Sequence, residues 1–400
     1  MNRIWKNPLT IVLCGGIILG LAMGVRHVQG LFLLPLTQAH GWSREQFAFA
    51  IALQNLVWGL TMPVSGMIAD KFGSVRVLLA GCLLYAIGLW LMADASSELG
   101  LILSAGILIG IALSATTFGV VYGALSRIVT PERRGWALGL AGSIGGLGQF
   151  VMVPTAQGFM AQFGPTAALL IMATIMAGIG PLSLALNERA TRPAPDRQAQ
   201  SMRDAIAEAL SHRGFWLLNL GFLACGFQLA FIASHLPAYL LDKGMNGRSA
   251  VLALSFIALA NVGGTYLFGL LGAKYRRKHL LAWLYLGRSA VIAMFVTIPL
   301  SEVTVYAFAL LIGLLWLGAV PLTNGIVAQI FGLKYLATLF GFVFVGHQIG
   351  AFFGVWLGGR VFDATGSYNA LWLGSILLGL IAAALHWPID DRELGRLQAA

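Results

Sequence analysis

Apolar residues in this chain come in long runs broken by short polar punctuation, with no alternation of period two. The stretches Leu101 to Leu125 and Leu336 to Leu357 contain no Asp, Glu, Lys or Arg. A run of about 20 such residues crosses a hydrocarbon core as a helix, whereas a membrane barrel would show alternating segments of about 10 residues. The polar breaks delimit spans at 9–37, 44–69, 77–94, 99–128, 135–162, 166–186, 214–241, 248–273, 280–299, 303–329, 336–361 and 369–388. They form two sets of six, parted by the long polar stretch 187–213 (NERATRPAPDRQAQSMRDAIAEALSHR), whose first part contains proline and whose second is a short amphipathic segment. The pattern predicts an all-α membrane protein of twelve transmembrane helices in two pseudo-symmetric six-helix bundles, residues 1–186 and 214–400, joined by a linker at 187–213.

Composition agrees: 58% of the residues are apolar and 10% charged, against about 25% charged in soluble proteins. Nineteen of the 25 Lys and Arg lie in the terminal segments and in loops on the side of the N-terminus. Arg44, Lys243 and Arg248 lie on the other side, and Arg26, Arg288 and Arg360 fall within spans. By the positive-inside rule both termini are cytoplasmic. This bias accounts for the net charge of +10, with lipid headgroups rather than nucleic acid as its partner. Cys14, Cys82 and Cys225 stand singly in apolar sequence, so no disulfide framework, zinc site or other cofactor is indicated. The first apolar run is too long for a cleaved signal peptide and is expected to remain in the membrane.

The two halves read as weak copies. Gly66-Met-Ile-Ala-Asp70-Lys71-Phe-Gly73-Ser-Val-Arg76 closes the second span, and Gly269 to Lys278 closes the eighth, with Ala273 where the first copy has Asp70. Near the same offset Gly139, Gly148, Phe150 and Gly164 superpose on Gly341, Gly350, Phe352 and Gly366. Six plus six helices, the central linker and GMIADKFGSVR after the second span resemble the major facilitator superfamily, whose signature loop reads G-x-x-x-D-[RK]-x-G-x-[RK]-[RK]. The resemblance implies a conformational latch at Gly66, Asp70, Lys71, Gly73 and Arg76, and a weaker one in the second copy. Arg26-His-Val-Gln-Gly-Leu-Phe-Leu-Leu-Pro35 with Gly41-Trp42-Ser43, and His347-Gln348-Ile-Gly-Ala-Phe-Phe-Gly-Val-Trp356, are similar to bacterial relatives of the monocarboxylate transporter and oxalate/formate antiporter families. That likeness implies a carboxylate held by basic residues, here Arg26 or His27 on span 1 and His347 on span 11, in a bacterial inner membrane. Span 8 departs from the pattern, offering Asn261 and Thr265 but no arginine, while Arg288 lies on the usually peripheral span 9.

All fifteen Asp and Glu residues fall in loops or at span ends, which weakens any reading based on cationic substrates or carboxylate-borne protons. Arg26, by contrast, lies about 25 Å along the first helix from the cytoplasmic side. It costs at least ~2.5–3.5 kcal/mol there on insertion scales, and no acidic partner is available in the spans. Either a substrate carboxylate supplies that charge, bidentate on the guanidinium, or Arg26 is tied to helix carbonyls and props the cavity open. For Arg288 a structural role on carbonyls is the expectation. His27, His235 and His347 lie in spans, and His347 and His235 are the candidates for proton coupling. Gln54, Asn55, Thr117, Tyr122, Gln149, Gln228, Trp316, Thr323, Asn324 and Gln348 complete the candidate substrate contacts, against the plainer reading of interhelical hydrogen bonding.

No nucleotide-binding loop, metal constellation or nucleophile–base pair is visible, so an enzyme is not expected. The reading is a secondary transporter of a small organic anion, functional as a monomer. An exporter of amphipathic drugs or metabolites and a transporter-shaped sensor remain as alternatives.

Overall fold

The computed structural model describes residues 7–130, 133–187, 200–332 and 335–394, and among these no strand occurs. Eleven helical runs are long and apolar enough to cross a membrane. One of them, Trp136–Leu186, holds 51 residues and breaks at Gly164 (φ 82°, ψ 167°), immediately before Pro165. A side chain would be strained at that φ, and the proline has no N–H to continue the helix, so this run makes two crossings. Among the described residues the total is twelve.

The first six are α1 (Pro8–His40, with a 3-10 segment at Val28–Phe32), α2 (Arg44–Phe72), α3 (Ser74–Ala93), α4, α5 (134–163) and α6 (165–186). α4 is assembled from Glu98–Leu101, a π segment Ile102–Leu108, Ile109–Thr116 and Phe118–Ile128. The amphipathic linker helix Met202–Ser211 precedes α7 (Arg213–Asp242), α8 (Gly247–Lys274) and α9 (Arg277–Thr297). Then come α10 (Glu302–Leu314 and Ala319–Phe331), α11 (Leu336–Thr365) and α12 (Asn369–His386). We call the face bearing the linker the linker face and the opposite one the distal face. Four distal helix starts are fixed by side chains: Ser43, Ser97, Asn246 and Ser301 accept from backbone N–H groups of α2, α4, α8 and α10.

Lipid is as apolar as leucine, so burial alone does not hold helices together in a membrane; close contact between small residues does. Gly20 and Gly148 bring α1 and α5 so near that a Cβ on either would strike the other's backbone. Gly226, Gly350 and Gly354 do the same for α7 and α11. Gly106 and Gly110 seat α4 on α2, and Gly264 and Gly313 join α8 to α10. These contacts repeat under the exchange of helices 1–6 for 7–12, which is the pseudo-twofold relation expected of duplicated halves. Two further seams cross between the halves and are also related by that exchange: α2 with α11, and α5 with α8. Outside, Trp90, Leu99, Tyr266, Val303 and Leu373 are exposed, as suits surfaces facing lipid.

Candidate functional site

Arg26 sits in the interior of α1, half-buried. Its Nη2 donates to Asn55 Oδ1 at 2.5 Å, its guanidinium carbon lies 5.0 Å from the centre of the Trp58 ring, and its buried Nε–H has no hydrogen-bond partner. Asn55 is aimed by its own amide, which donates to Ile51 O at 2.8 Å. Trp58 is aimed by its indole N–H, which donates to Thr117 Oγ1 at 3.1 Å. One helical turn separates Asn55 from Trp58, so α2 presents an amide oxygen and an aromatic face together to the cation.

The aromatic wall continues across the seam between the halves. Phe344 on α11 meets Trp58 edge-on at 5.0 Å, and His347, one turn further, stacks on Phe344 at 5.1 Å with the planes 6° apart. Nδ1 of His347 donates to Gln348 Oε1 at 2.8 Å, which leaves Nε2 as the ring nitrogen not engaged by that bond. Gln348 is packed against Gly59 of α2, where a Cβ would displace it. Arg26, Asn55, His347 and Gln348 are thus brought together, with Trp58 and Phe344 between them. Sequence reasoning passed over both aromatics because they lie in apolar runs, although each is three residues from a polar candidate on the same helix face.

Other candidates are placed elsewhere. His27 is turned away from Arg26, as consecutive helical residues must be; its Nε2 lies 3.3 Å from Leu254 O, and its ring meets Trp316 edge-on at 6.2 Å. Gln54 donates to Ala105 O and Gln228 to Ser375 O, both bonds between neighbouring helices of one half. Thr117 returns its hydroxyl to Leu113 O. Tyr122 packs on Phe118, with its hydroxyl over Gly142 of α5. Gln149 is buried on α5, Thr323 is buried with its hydroxyl unpartnered, and Asn324 is half-buried. His235 lies 2.8 Å from Val355 O and 3.3 Å from the Tyr368 hydroxyl, near the distal face. In the latch motif Gly73 takes φ 91° between α2 and α3, Gly66 faces open space and Arg76 is exposed. The side chains of Asp70 and Lys71 lie outside the described residues.

Arg288 is fully buried and completely engaged. Nε and Nη2 donate to Leu315 O at 2.9 and 2.6 Å, Nη2 also reaches Trp316 O, and Nη1 lies 3.1 Å from Cys225 Sγ. These carbonyls belong to the break in α10 between Leu314 and Ala319, and the Leu317 N–H in the same break donates to Asn261 Oδ1 at 3.1 Å. Asn261 and Arg288 therefore take up the backbone groups that the interrupted helix leaves open. α4 breaks at the related place, Thr117, where the backbone becomes extended. Both interruptions were missed in the sequence, where spans 99–128 and 303–329 read as continuous; broken helices at matching positions of two repeats are where transporters place their sites.

On the distal face the halves are clamped. Arg44 makes a two-pronged ion pair with Asp242 at 2.7 and 2.8 Å, donates to the Tyr368 hydroxyl at 3.2 Å and covers the Phe362 ring at 3.9 Å. Arg360 on α11 pairs with Glu45 of α2 at 2.9 Å. Asp363 accepts from the Glu45 N–H at 2.7 Å, because an acidic group is favoured at the start of α2. A cleft of about 610 Å³, lined in part by Gln38, Arg44, Gln157, Pro237 and Asp242, opens beside this clamp.

The sequence profile of the Major Facilitator Superfamily matches residues 12–355. The chain belongs to this superfamily. It is 27% identical over 380 residues to human monocarboxylate transporter 11, covering 90% of this chain and 78% of that protein. It is 25% identical over 386 residues to the oxalate:formate antiporter of Oxalobacter formigenes, covering 93% and 89%. The fold matches the crystal structure of a bacterial homolog of the human lysosomal transporter Spinster, in an inward-facing and unoccupied conformation. The TM-score is 0.71 and the identity 15%, over 96% of this chain and 97% of that one. It is a multi-pass integral membrane protein of a transporter superfamily, whose members carry small molecules.

Proposed function

We propose that this protein moves a small organic anion of the monocarboxylate class across the membrane by alternating access, with Arg26 as the carboxylate anchor. One observation carries the reading. A guanidinium lies in the interior of a crossing helix, its described partners are a neutral amide and an aromatic ring, and one of its buried N–H groups is unsatisfied. A cation–π contact is worth about 2 kcal/mol or more when desolvated, set against at least ~2.5–3.5 kcal/mol for burying the charge, and neither it nor the amide bond neutralises that charge. A carboxylate would complete the hydrogen bonding and cancel the charge in one step. Trp58 and Phe344 suit the apolar part of the acid, and Nε2 of His347 suits a proton or a second polar contact.

The names of the two relatives, a monocarboxylate transporter and an oxalate:formate antiporter, agree with this chemistry. The moving bodies in the proposal are residues 1–186 and 214–400, linked by 187–213, with the linker face cytoplasmic in a bacterial inner membrane. In the arrangement described, the Arg44–Asp242 and Arg360–Glu45 pairs close the distal side, so access from there requires both to part. The test is a thermal-shift screen of the purified protein against short mono- and dicarboxylates, amines and neutral amphiphiles, followed by uptake into proteoliposomes. Monocarboxylates are expected to stabilise the fold by mass action. Stabilisation by amines or neutral amphiphiles alone would defeat the proposal.

A further inference from the structure

The loop between α8 and α9 is the second copy of the signature loop, and it departs from the first in its charge. Ala273 stands where the first copy has Asp70, and Lys274, Arg276, Arg277 and Lys278 follow within five residues. α9 starts without a capping side chain and without an acidic residue in its first turn; that turn is Arg277, Lys278 and His279. Cations placed on the positive end of a helix repel it, and an anion at the same place is favoured by both the dipole and the unpaired N–H groups. By contrast α2, α4 and α10 each begin with a serine cap and a glutamate.

The tertiary structure gathers these cations into a cleft of about 370 Å³, formed by the 272–277 loop, Gln329 of α10 and the Asp391–Arg392 segment after α12. Arg277 lies across the bare surfaces of Gly272 and Gly325 and donates to Gln329 Oε1 at 2.6 Å. Lys274 lies over the Tyr275 ring. Two of the local carboxylates are committed: Asp391 to Arg276 at 2.6 Å, and Asp390 to Arg392 at 2.7 Å. The bond from Arg392 holds the Asp390 carboxyl down to about 2. Five cations thus share this corner with at most three carboxylates, Asp390, Asp391 and Glu393.

Depth decides what kind of anion. Trp283 is 60% and Trp387 50% exposed, and their rings meet at 6.2 Å. An exposed tryptophan pair marks the boundary between headgroups and acyl chains. Trp283 is six residues along α9 from Arg277, roughly 9 Å, which sets the cleft at headgroup level. Above it, Tyr266, Leu270 and Tyr275 give an exposed apolar track on α8 and the start of the loop.

We propose that the cleft formed by Lys274, Arg276, Arg277, Gln329 and Arg392 binds the phosphodiester headgroup of an anionic phospholipid, whose acyl chains lie past Trp283 and Trp387. The site is separate from Arg26, and the proposal does not depend on what the protein transports.

The experiment uses the full chain in detergent and in nanodiscs. Phosphatidylglycerol, phosphatidylcholine and inorganic phosphate are added separately, and thermal stability and retained lipid are measured. Phosphatidylglycerol is expected to stabilise and to be retained. The pair Lys274→Ala with Arg277→Gln should weaken its apparent affinity about tenfold or more, whereas Arg203→Gln with Arg213→Gln, an equal loss of charge elsewhere on the linker face, should leave it within about twofold. Because the first pair could fold poorly, wild type is also titrated with phosphatidylglycerol brominated on its acyl chains. Quenching of Trp283 and Trp387, identified by its loss in Trp283→Phe with Trp387→Phe, should exceed that by brominated phosphatidylcholine. Equal retention or quenching with the two lipids, an equal loss in the control pair, or matching protection by inorganic phosphate would overturn the proposal, the last by pointing to a soluble anion.

Discussion

Replacing Arg288 sets two large effects against each other. Arg288 is the donor for Leu315 O and Trp316 O in the break of α10. Leaving a buried carbonyl unsatisfied costs about 1–3 kcal/mol, so losing both costs about 2–6. Hydrogen bonds in membrane bundles average nearer 0.6 kcal/mol, which favours the lower end. Removing an uncompensated buried charge returns roughly 2.5–3.5 kcal/mol. For Arg288→Met, which keeps most of the volume, the two effects nearly cancel, and the fold is expected to survive with a net change within about 2 kcal/mol. Arg288→Lys keeps the charge but loses the planar fork that reaches both carbonyls, and an ammonium is more strongly hydrated than a guanidinium. Lysine should therefore be the less stable of the two. Transport should suffer in both, because Trp316 and the break are no longer held. The assay is thermal unfolding followed by size-exclusion fluorescence, with proteoliposome uptake alongside. A lysine variant as stable as wild type, with methionine well below both, would show that charge rather than the fork is what the site requires.

Asp242→Asn removes the two-pronged partner of Arg44 and should favour opening of the distal side, read as faster labelling of Ser234→Cys, which is buried on α7 against Gly30 of α1; unchanged labelling would contradict a clamp. His347→Gln keeps hydrogen bonding but cannot titrate, so if His347 is protonated to hold the anion, uptake falls and its pH dependence flattens. An active variant with the wild-type pH profile would reject that route. Gly148→Val places methyl groups into the Gly20 backbone and should cut the yield of folded protein sharply, whereas Gly158→Val, with open space around it, should not.

The number of crossings, the duplication and the isolation of Arg26 were legible because they rest on long apolar runs and on where charge is missing. Single-residue geometry was not. That His27 and Arg26 point apart followed from helical rotation, but that His27 would meet Leu254 of the other half depends on how the halves pack. Arg288 looked structural because its helix is peripheral, yet the carbonyls it serves exist only because α10 is interrupted, and Trp316-Leu-Gly318 carries no proline to announce a break. The Arg44–Asp242 pair joins residues 198 apart; each looked like an ordinary loop charge until the chain was folded. Trp58 and Phe344 hid in hydrophobic sequence because an aromatic packed beside a buried cation and an aromatic facing lipid are written with the same letters.

Uptake of a monocarboxylate by Arg26→Ala and Arg26→Lys carriers reconstituted at equal density bears most directly on the anchor. Truncating one partner of a buried charge pair costs about 3–5 kcal/mol, so the alanine carrier should lose carboxylate transport by a factor of roughly 10² or more while remaining folded. The lysine carrier should keep a part of it. Wild-type uptake by a folded Arg26→Ala carrier would contradict the role assigned to Arg26 and with it the carboxylate reading of the site.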